Sequence, residues 1–226
     1  LFQAFKNNFN PGYFINADKL ELQLNNTGLI DLEPLGLKAT EKELNEYRKT
    51  KDALSLLKKS KDEGQKIDLE IKEHCIVNRS KETHMYEDSL AAGFIRWLMY
   101  RNGKSFSFET VMSHVLKLTE MAAAKRRGYK TYLYFVCTDD AEININRVNN
   151  RMEKGGHLVD DKKIRTRYYS TLKNLYPAIK IANRSYLFDN SGKTMELIAE
   201  AYEGTLQLKV NEPPQWFIDY VLPYFK

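Results

Sequence analysis

Basic side chains cluster between residues 145 and 175, around a predicted turn. They include Arg147, Arg151, Lys154, Lys162, Lys163, Arg165 and Arg167. Arg147 and Arg151 are four residues apart, so a helix would present both guanidinium groups on one face. A second basic helix after Gly155-Gly156-His157 would complete a hinged cationic flap. Such a flap suits phosphoryl transfer, in which catalysis is mostly positioning and charge neutralisation. A solvated pair of basic helices explains this stretch alone equally well.

Two short predicted strands each end near a carboxylate. Residues 13–15 form an apolar run after Pro11-Gly12, which predicts a buried parallel strand. Residues 105–109 alternate between polar and apolar side chains, which predicts a second strand. The polar groups that follow them are Asp18, Glu109, Thr110 and Ser113. Open α/β sheets bind ligands at the carboxyl ends of their strands. When Asp18 or Thr110 is taken alone, a role as the cap of the next helix explains it slightly better than a role in ligand binding. Together with the cationic flap, the groups favour a phosphotransfer site.

Three segments resemble the zeta-toxin-like P-loop kinases, in particular the bacterial branch often labelled as predicted ATPases. They are NPGYFINADK, SFSFETVMS and YFVCTDDAEININRVNNRMEKGGHLVDDKKIRTRYYSTL. The spacing RV-x-x-R-x-x-x-GGH-x-V-x-x-x-K-I-x-x-RY is the most specific part, and the resemblance covers about residues 9–37 and 104–192. It implies an α/β fold of the P-loop NTPase type, with a parallel sheet flanked by helices. Residues 1–226 would form a single domain, with a mostly helical insertion at 38–103 as the acceptor-substrate module and lid helices at 141–181.

The phosphate loop of that family, G-x-x-x-x-G-K-[ST], does not occur in residues 1–226. Its glycines let backbone amides hold phosphates, and its lysine neutralises them. The chain opens on LFQAFKNNFNPGYFINAD, which resembles the end of the helix that follows this loop in the family. We therefore expect the first strand and the loop to lie upstream of residue 1. A protein that natively began at Leu1 would be expected to bind nucleotides poorly.

The resemblance implies ATP-dependent phosphorylation of a hydroxyl group on a small acceptor, for which a UDP-amino sugar is the natural candidate. Asp18 would be the catalytic base, because the acceptor hydroxyl must lose its proton as the phosphoryl group arrives. Glu109 would orient the acceptor or hold a magnesium-bound water. Thr110 and Ser113 would bind the acceptor as neighbouring hydroxyl ligands.

On the phosphate side, Arg151 and Arg167 rank first as catalytic residues, since the matching family positions carry phosphate-binding arginines. Further phosphate or ATP contacts are expected from Arg147, Arg165, His157 and Asn190. ATP and Mg²⁺ are the implied cofactors. The usual Ser/Thr ligand of the magnesium ion belongs to the missing loop, so no metal ligand is assigned within this chain.

Composition narrows the class of protein. The 226 residues, of which 42% are hydrophobic, fit one large or two small domains. Two cysteines in different contexts predict neither a disulfide nor a metal site, and the four histidines form no ligand cluster. No apolar run reaches the ~18 residues of a membrane span, and no signal peptide is evident. These features predict a cytoplasmic protein with no membrane association.

Two other functions remain open. A nucleotide-binding switch or interaction module would bind without phosphotransfer, as the toxin-like half of a complex with an antitoxin-like partner. The lysine-rich stretch 41–61 could then be a partner surface, although such stretches are more often solvated faces. Nucleic-acid phosphorylation would need a continuous basic groove, and 35 basic against 30 acidic residues, a net charge of +5, argues mildly against it.

The hydrophobic pattern predicts the elements that position these groups. In the first half we predict a helix end at 1–8, a strand at 12–16, a loop with short helical pieces at 22–37, a long helix from Thr40 to about Gly64, a β excursion or linker at 66–80, a helix at 86–100 and a strand at 105–109. In the second half we predict a helix at 111–127, a central strand at 130–137, lid helices at 142–154 and 162–181, a strand at 184–189, an edge strand at 206–210 and a final helix at 215–225. This alternation predicts a parallel sheet flanked by helices.

Overall fold

The structure, a computed structural model, describes residues 11–80, 84–152 and 159–225. The chain divides into two units, the first ending at Thr110 and the second beginning at Val111. His157 and the glycine turn before it lie outside the described residues. The expectation of a single kinase-like domain with an insertion at 38–103 stays a prediction.

The first unit combines a parallel strand pair with a small antiparallel sheet. In chain order its elements are β1 (Tyr13–Ile15), α1 (Ala17–Thr27), β2 (Leu29–Asp31), α2 (Glu41–Arg48), α3 (Lys51–Asp62), β3 (Leu69–Lys72), β4 (Cys75–Asn78), α4 (Met85–Arg101) and β5 (Phe106–Phe108). β1 pairs with β5 in parallel, with Tyr13 opposite Phe106 and Ile15 opposite Phe108. β2, β4 and β3 pair antiparallel in that order.

Helix α4 lies at the centre of the first unit's core. Most of its side chains are buried, whichever way they point, because α1, α2, α3 and β1 all contact it. Buried apolar residues of this helix are Leu90, Ala91, Ala92, Phe94, Ile95, Leu98 and Met99. A polar side chain on such a helix must therefore find its partners inside the protein.

Two predictions for the first unit were wrong in detail. Residues 22–37 contain helical pieces as predicted, but they are more regular than a loop, because α1 continues to Thr27 before Gly28 ends it at φ 70° and β2 follows. The predicted helix from Thr40 to Gly64 is two helices, since Thr50 begins α3 by accepting a hydrogen bond from the Ala53 amide. The capping box at Thr40 and the strands within 66–80 are confirmed.

The second unit contains a mixed sheet with helices. Its elements are α5 (Leu116–Arg126), β6 (Tyr132–Cys137), α6 (Ala141–Met152), α7 (Asp161–Ile181), β7 (Arg184–Asp189), β8 (Glu196–Tyr202), β9 (Thr205–Leu208) and α8 (Gln215–Tyr220). The strand order is β6-β7-β8-β9. β6 and β7 are parallel, whereas β8 and β9 join antiparallel. One face of this sheet packs with the helices around Leu172, Leu175, Leu187 and Phe217.

The second unit departs from the predicted elements at three places. The helix predicted from Val111 begins only at Leu116, and Met112 has φ 57°, which no right-handed helix allows. The predicted central strand β6 lies at the end of the order among the described strands. Strand β8 has no counterpart in the prediction. An α/β class is therefore confirmed, with parallel pairs inside a mixed arrangement instead of a wholly parallel sheet.

Candidate functional site

Parallel pairing brings the carboxyl ends of β1 and β5 to one edge of their sheet. Gly12 makes this pairing possible: its φ is 66°, and a Cβ there would lie 2.1 Å from the Ser105 carbonyl oxygen. The Tyr13 amide donates to that same oxygen over 3.1 Å. Asp18 follows β1 and Glu109 follows β5, so the two predicted strand-end carboxylates belong to the same sheet edge.

Neither Asp18 nor Thr110 caps the helix that follows it. The N-cap of α1 is Asn16, whose side-chain oxygen accepts from the Lys19 amide over 3.0 Å. Asp18 is an exposed residue in the first turn of that helix. Thr110 is exposed, and α5 starts six residues after it with Val115 as its N-cap. Capping therefore explains neither residue.

Glu109, Thr110 and Ser113 are close in sequence but belong to different units. Glu109 and Thr110 are exposed residues directly after β5, in the first unit. Ser113 is half-buried and belongs to the second unit. The hydroxyl side chain that the structure places next to Glu109 at the strand end is therefore that of Thr110.

A carboxylate that the sequence did not single out, Asp88, is associated with Asp18. It lies in the first turn of α4, with only 3% of its surface exposed. Both carboxylate oxygens are buried, and neither has a hydrogen-bond partner in the described part of the chain. Burial, followed by the charges of Glu21, Glu87 and Asp18, raises the pKa of Asp88 from 3.8 to about 7.

The neighbouring Glu87 has the opposite environment, although it is fully buried. Its oxygens accept hydrogen bonds from the Asn78 side chain at 2.9 Å and from the hydroxyl group of Ser80. The Asp68 amide adds a longer contact of 3.4 Å. Glu87 therefore ties α4 to the β3–β4 hairpin and has a structural role. The signal for Asp88 in the sequence was a second carboxylate next to Glu87 on a helix whose other residues are mostly apolar.

In the second unit, the predicted lid helices form an antiparallel hairpin. Glu142 at the start of α6 accepts two hydrogen bonds from Arg165 on α7, at 2.6 and 2.9 Å. The Tyr168 hydroxyl, farther along α7, donates to the carbonyl of Thr138, before α6 begins, over 2.8 Å. The prediction of two packed helices is confirmed over the described residues. Arg165 is engaged in holding them together.

Two predicted nucleotide-binding residues contact each other. The Nη2 atom of Arg147 donates to the backbone carbonyl of Asn190 over 2.7 Å. Asn190 follows β7, and its own amide donates to the carbonyl of Cys137 at the end of β6. Arg147 thus fixes α6 above the carboxyl ends of the two parallel strands.

Arg151 and Arg167 differ from the other two arginines of the hairpin. Arg151 is exposed and Arg167 is half-buried, and neither has a hydrogen bond or ion pair within the described ranges. The Glu142–Arg165 pair marks a common level on the two antiparallel helices. At about 1.5 Å of rise per residue, Arg151 and Arg167 lie on opposite sides of that level, about 16 Å apart along the helix axes. Their cationic groups are therefore available to meet anions, at two different levels of the hairpin.

The turn that begins α6 is held by the C-terminal helix. The Asp139 carboxylate accepts from the backbone amide of Gln215 over 2.8 Å, and the Asp139 amide donates to the Ser191 hydroxyl over 2.7 Å. The Trp216 indole donates to Asp189 over 2.9 Å. These carboxylates at the strand ends are therefore hydrogen-bonded within the fold.

Metal and thiol chemistry find little support in the described residues. No group of three or more His, Cys, Asp or Glu side chains there could hold a metal ion. Cys75 and Cys137 are free thiols, and burial raises the pKa of Cys137 to about 12, which leaves it protonated at neutral pH.

The described helices include none with the length and hydropathy needed to cross a membrane.

Comparisons with known proteins extend this description only slightly. No family model matches the chain, and no solved structure matches it. A stretch of 63 residues is 29% identical to an uncharacterized protein of Haemophilus influenzae. That stretch is 28% of this chain and 45% of the relative, so the chain spans less than half of the relative's length. The functional assignment therefore depends on the site itself.

Proposed function

We propose that the protein is an ATP-dependent phosphotransferase of the zeta-toxin-like kind, acting on a hydroxyl group of a small acceptor such as a UDP-amino sugar. The observation that carries this proposal is the parallel β1–β5 pair, which has Asp18 and Glu109 at one carboxyl edge. A carboxylate at such an edge, exposed and without a capping role, is suited to receive a proton from a bound hydroxyl group.

The acceptor is assigned to the carboxylates that follow β1 and β5. Asp18 would accept the hydroxyl proton, while Glu109 and Thr110 would orient the acceptor through hydrogen bonds. Asp88 lies buried near Asp18 and would receive hydrogen bonds from a bound acceptor, because its oxygens receive none from the described residues. This division of roles leaves one exposed base and one buried orienting carboxylate.

The nucleotide phosphates are assigned to the arginines of the α6–α7 hairpin. Arg151 and Arg167 would neutralise phosphate charge, since neither is engaged elsewhere in the described residues. Arg147 and Arg165 are bonded to Asn190 and Glu142 and would hold the hairpin in place. ATP supplies the phosphoryl group when bound. No step is assigned to magnesium, because the described acidic groups offer no metal-binding set.

The test is ATP consumption by the full-length protein with magnesium and a panel of UDP-sugars. We expect turnover that requires an acceptor and falls by roughly 10³-fold in Asp18→Asn, as loss of a general base predicts. Asp52→Asn is the matched control, because Asp52 also lies in the first turn of a helix in the first unit. Equal turnover in Asp18→Asn and wild type would contradict the proposal.

A nucleotide-binding switch without phosphotransfer is the second candidate. The observation that favours it is that two of the four hairpin arginines are already bonded within the fold. Tight ATP binding with no turnover on any acceptor, unchanged by Asp18→Asn, would support this function over the first.

A further inference from the structure

The unpaired Asp88 carboxylate calls for a ligand group that the described protein does not supply. A buried carboxylate is normally hydrogen-bonded, as Glu87 next to it is. Only 3% of Asp88 is exposed to solvent, yet neither oxygen accepts a hydrogen bond from the described chain. Leaving such a group without partners costs free energy, so it is retained most readily where a ligand satisfies it.

The neighbours of Asp88 on α1 form a row of carboxylates, the acidic path, whose outermost member is exposed. Asp18, Glu21 and Leu24 follow one another at three-residue intervals along one face of α1. Leu24 is buried in the core that α1 shares with α4, so this face is directed towards α4. Asp18 is exposed, Glu21 is half-buried and Asp88 is buried. Exposure thus decreases stepwise towards Asp88.

The charge of this path selects the ligand. Among the described residues, the groups acting electrostatically on Asp88 are the carboxylates Glu21, Glu87 and Asp18, and all of them disfavour its negative charge. A hydroxyl group or a water molecule would donate hydrogen bonds but bring no compensating charge. A metal ion would need a ligand set that the described residues lack. A protonated primary amine supplies three donors and a positive charge in one compact group.

We propose that Asp88 and Glu21 form a subsite for a protonated primary amine, with Asp18 at its entrance. The subsite adds detail to the proposed function. It rests on that function only in taking the bound ligand to be the phosphoryl acceptor. The acceptor is then a hydroxylated amine, with its ammonium group on Asp88 and a hydroxyl group at Asp18. A free amine distinguishes this class from N-acylated amino sugars, which are neutral at the nitrogen.

The test is binding of two polyols to the whole protein at about pH 8 without nucleotide. Glucamine and sorbitol differ by one ammonium group in place of one hydroxyl group, and an aliphatic amine is protonated at this pH. We expect glucamine to bind roughly 10-fold more tightly, or better, by titration calorimetry, as one charge-assisted contact predicts. Asp88→Asn should lower glucamine affinity to that of sorbitol, while Asp52→Asn, a first-turn carboxylate on α3, should leave both affinities unchanged.

A second variant covers the case in which Asp88→Asn does not fold. Glu21→Gln lies on the half-buried part of the path and should weaken glucamine binding several-fold without affecting sorbitol. Equal affinities for the two polyols in wild type would overturn the proposal, as would a preference that survives both substitutions. Because no nucleotide is present, the absence of ATP turnover would refute the kinase and leave the amine subsite standing.

Discussion

At the scale of single residues, Glu87 and Asp88 show how hydrogen bonding separates a structural carboxylate from a candidate functional one. Both are buried in the first turn of α4. Glu87 has donors from the β3–β4 hairpin and its surroundings, whereas Asp88 has neighbours of its own charge. The two residues therefore respond to substitution in opposite directions.

Asp88→Asn should stabilise the protein at neutral pH. The pKa of Asp88 is about 7 when folded against 3.8 unfolded, so the folded state keeps a proton that the unfolded state releases. The stability that this retained proton contributes is fully present below about pH 4 and is lost as pH rises through about 7; it is on the order of 4 kcal/mol. Denaturant unfolding of wild type and variant between about pH 4.5 and 8 should show curves that diverge as pH rises.

The groups facing Asp88 must be controlled in that experiment. Glu21 and Asp18 approach from α1 and Glu87 lies on the same helix. Glu87→Gln serves as a comparison and should destabilise at every pH, since it disturbs the hydrogen bonds to Asn78 and Ser80. Parallel pH profiles for wild type and Asp88→Asn would show that Asp88 is ionised normally in the folded state.

Arg151→Gln should lower ATP turnover without changing stability. Arg151 makes no hydrogen bond or ion pair within the described ranges, so the free energy of unfolding should shift by less than about 0.5 kcal/mol. Loss of one phosphate-neutralising cation should lower kcat/KM for ATP by about 10² to 10³. Arg126→Gln, an exposed arginine in the last turn of α5, is the control for charge alone. Identical kinetics for the two variants would remove Arg151 from the site.

At the scale of elements, the parallel β1–β5 pair depends on a single glycine. Gly12→Ala should destabilise the first unit by about 3 kcal/mol or more, because the added Cβ would lie 2.1 Å from the Ser105 carbonyl oxygen. Gly28→Ala is the matched control: its φ is 70°, and a Cβ there would meet no atom of the described residues within 4 Å beyond its chain neighbours. That substitution should lower the free energy of unfolding only by the strain of an alanine in the left-handed conformation, about 1–2 kcal/mol. Equal losses in urea-unfolding measurements of the two variants would show that the close approach of β1 and β5 is not required.

The lid hairpin is a second element whose parts have different tasks. The Arg165 and Glu142 side chains of its ion pair are about half exposed, at 45% and 51%. A double-mutant cycle on the pair should therefore give a coupling free energy of less than about 1 kcal/mol. The Arg165–Glu142 ion pair instead fixes the register of α6 against α7. That register sets the positions of Arg151 and Arg167 along the hairpin.

At the scale of the whole molecule, each unit has a core of its own. The buried apolar residues fall into one cluster before Thr110 and another after Val111. We expect a fragment of residues 111–226 to fold by itself, with dispersed amide resonances and a cooperative thermal transition. A fragment that binds hydrophobic dyes and melts without cooperativity would contradict this expectation.

Local patterns in the sequence predicted many of the elements that carry the site. The strand at Tyr13–Ile15, the strand before Glu109 and both lid helices follow from apolar runs and periodicity, and they are confirmed. Prediction failed where one residue changed the outcome. Thr50 splits one predicted helix into two, and Met112 delays another.

The sequence by itself determined the residue types, the local elements and the order in which they occur, because these follow from short-range periodicity, capping and turn chemistry. Tertiary structure alone decided that β1 pairs with β5, although most of the first unit's chain lies between them. It also decided that, within the described ranges, Arg147 and Arg165 are bonded while Arg151 is not, and Asp88 is buried without a hydrogen-bond partner. Burial and pairing depend on contacts between distant parts of the chain, and no local pattern records them.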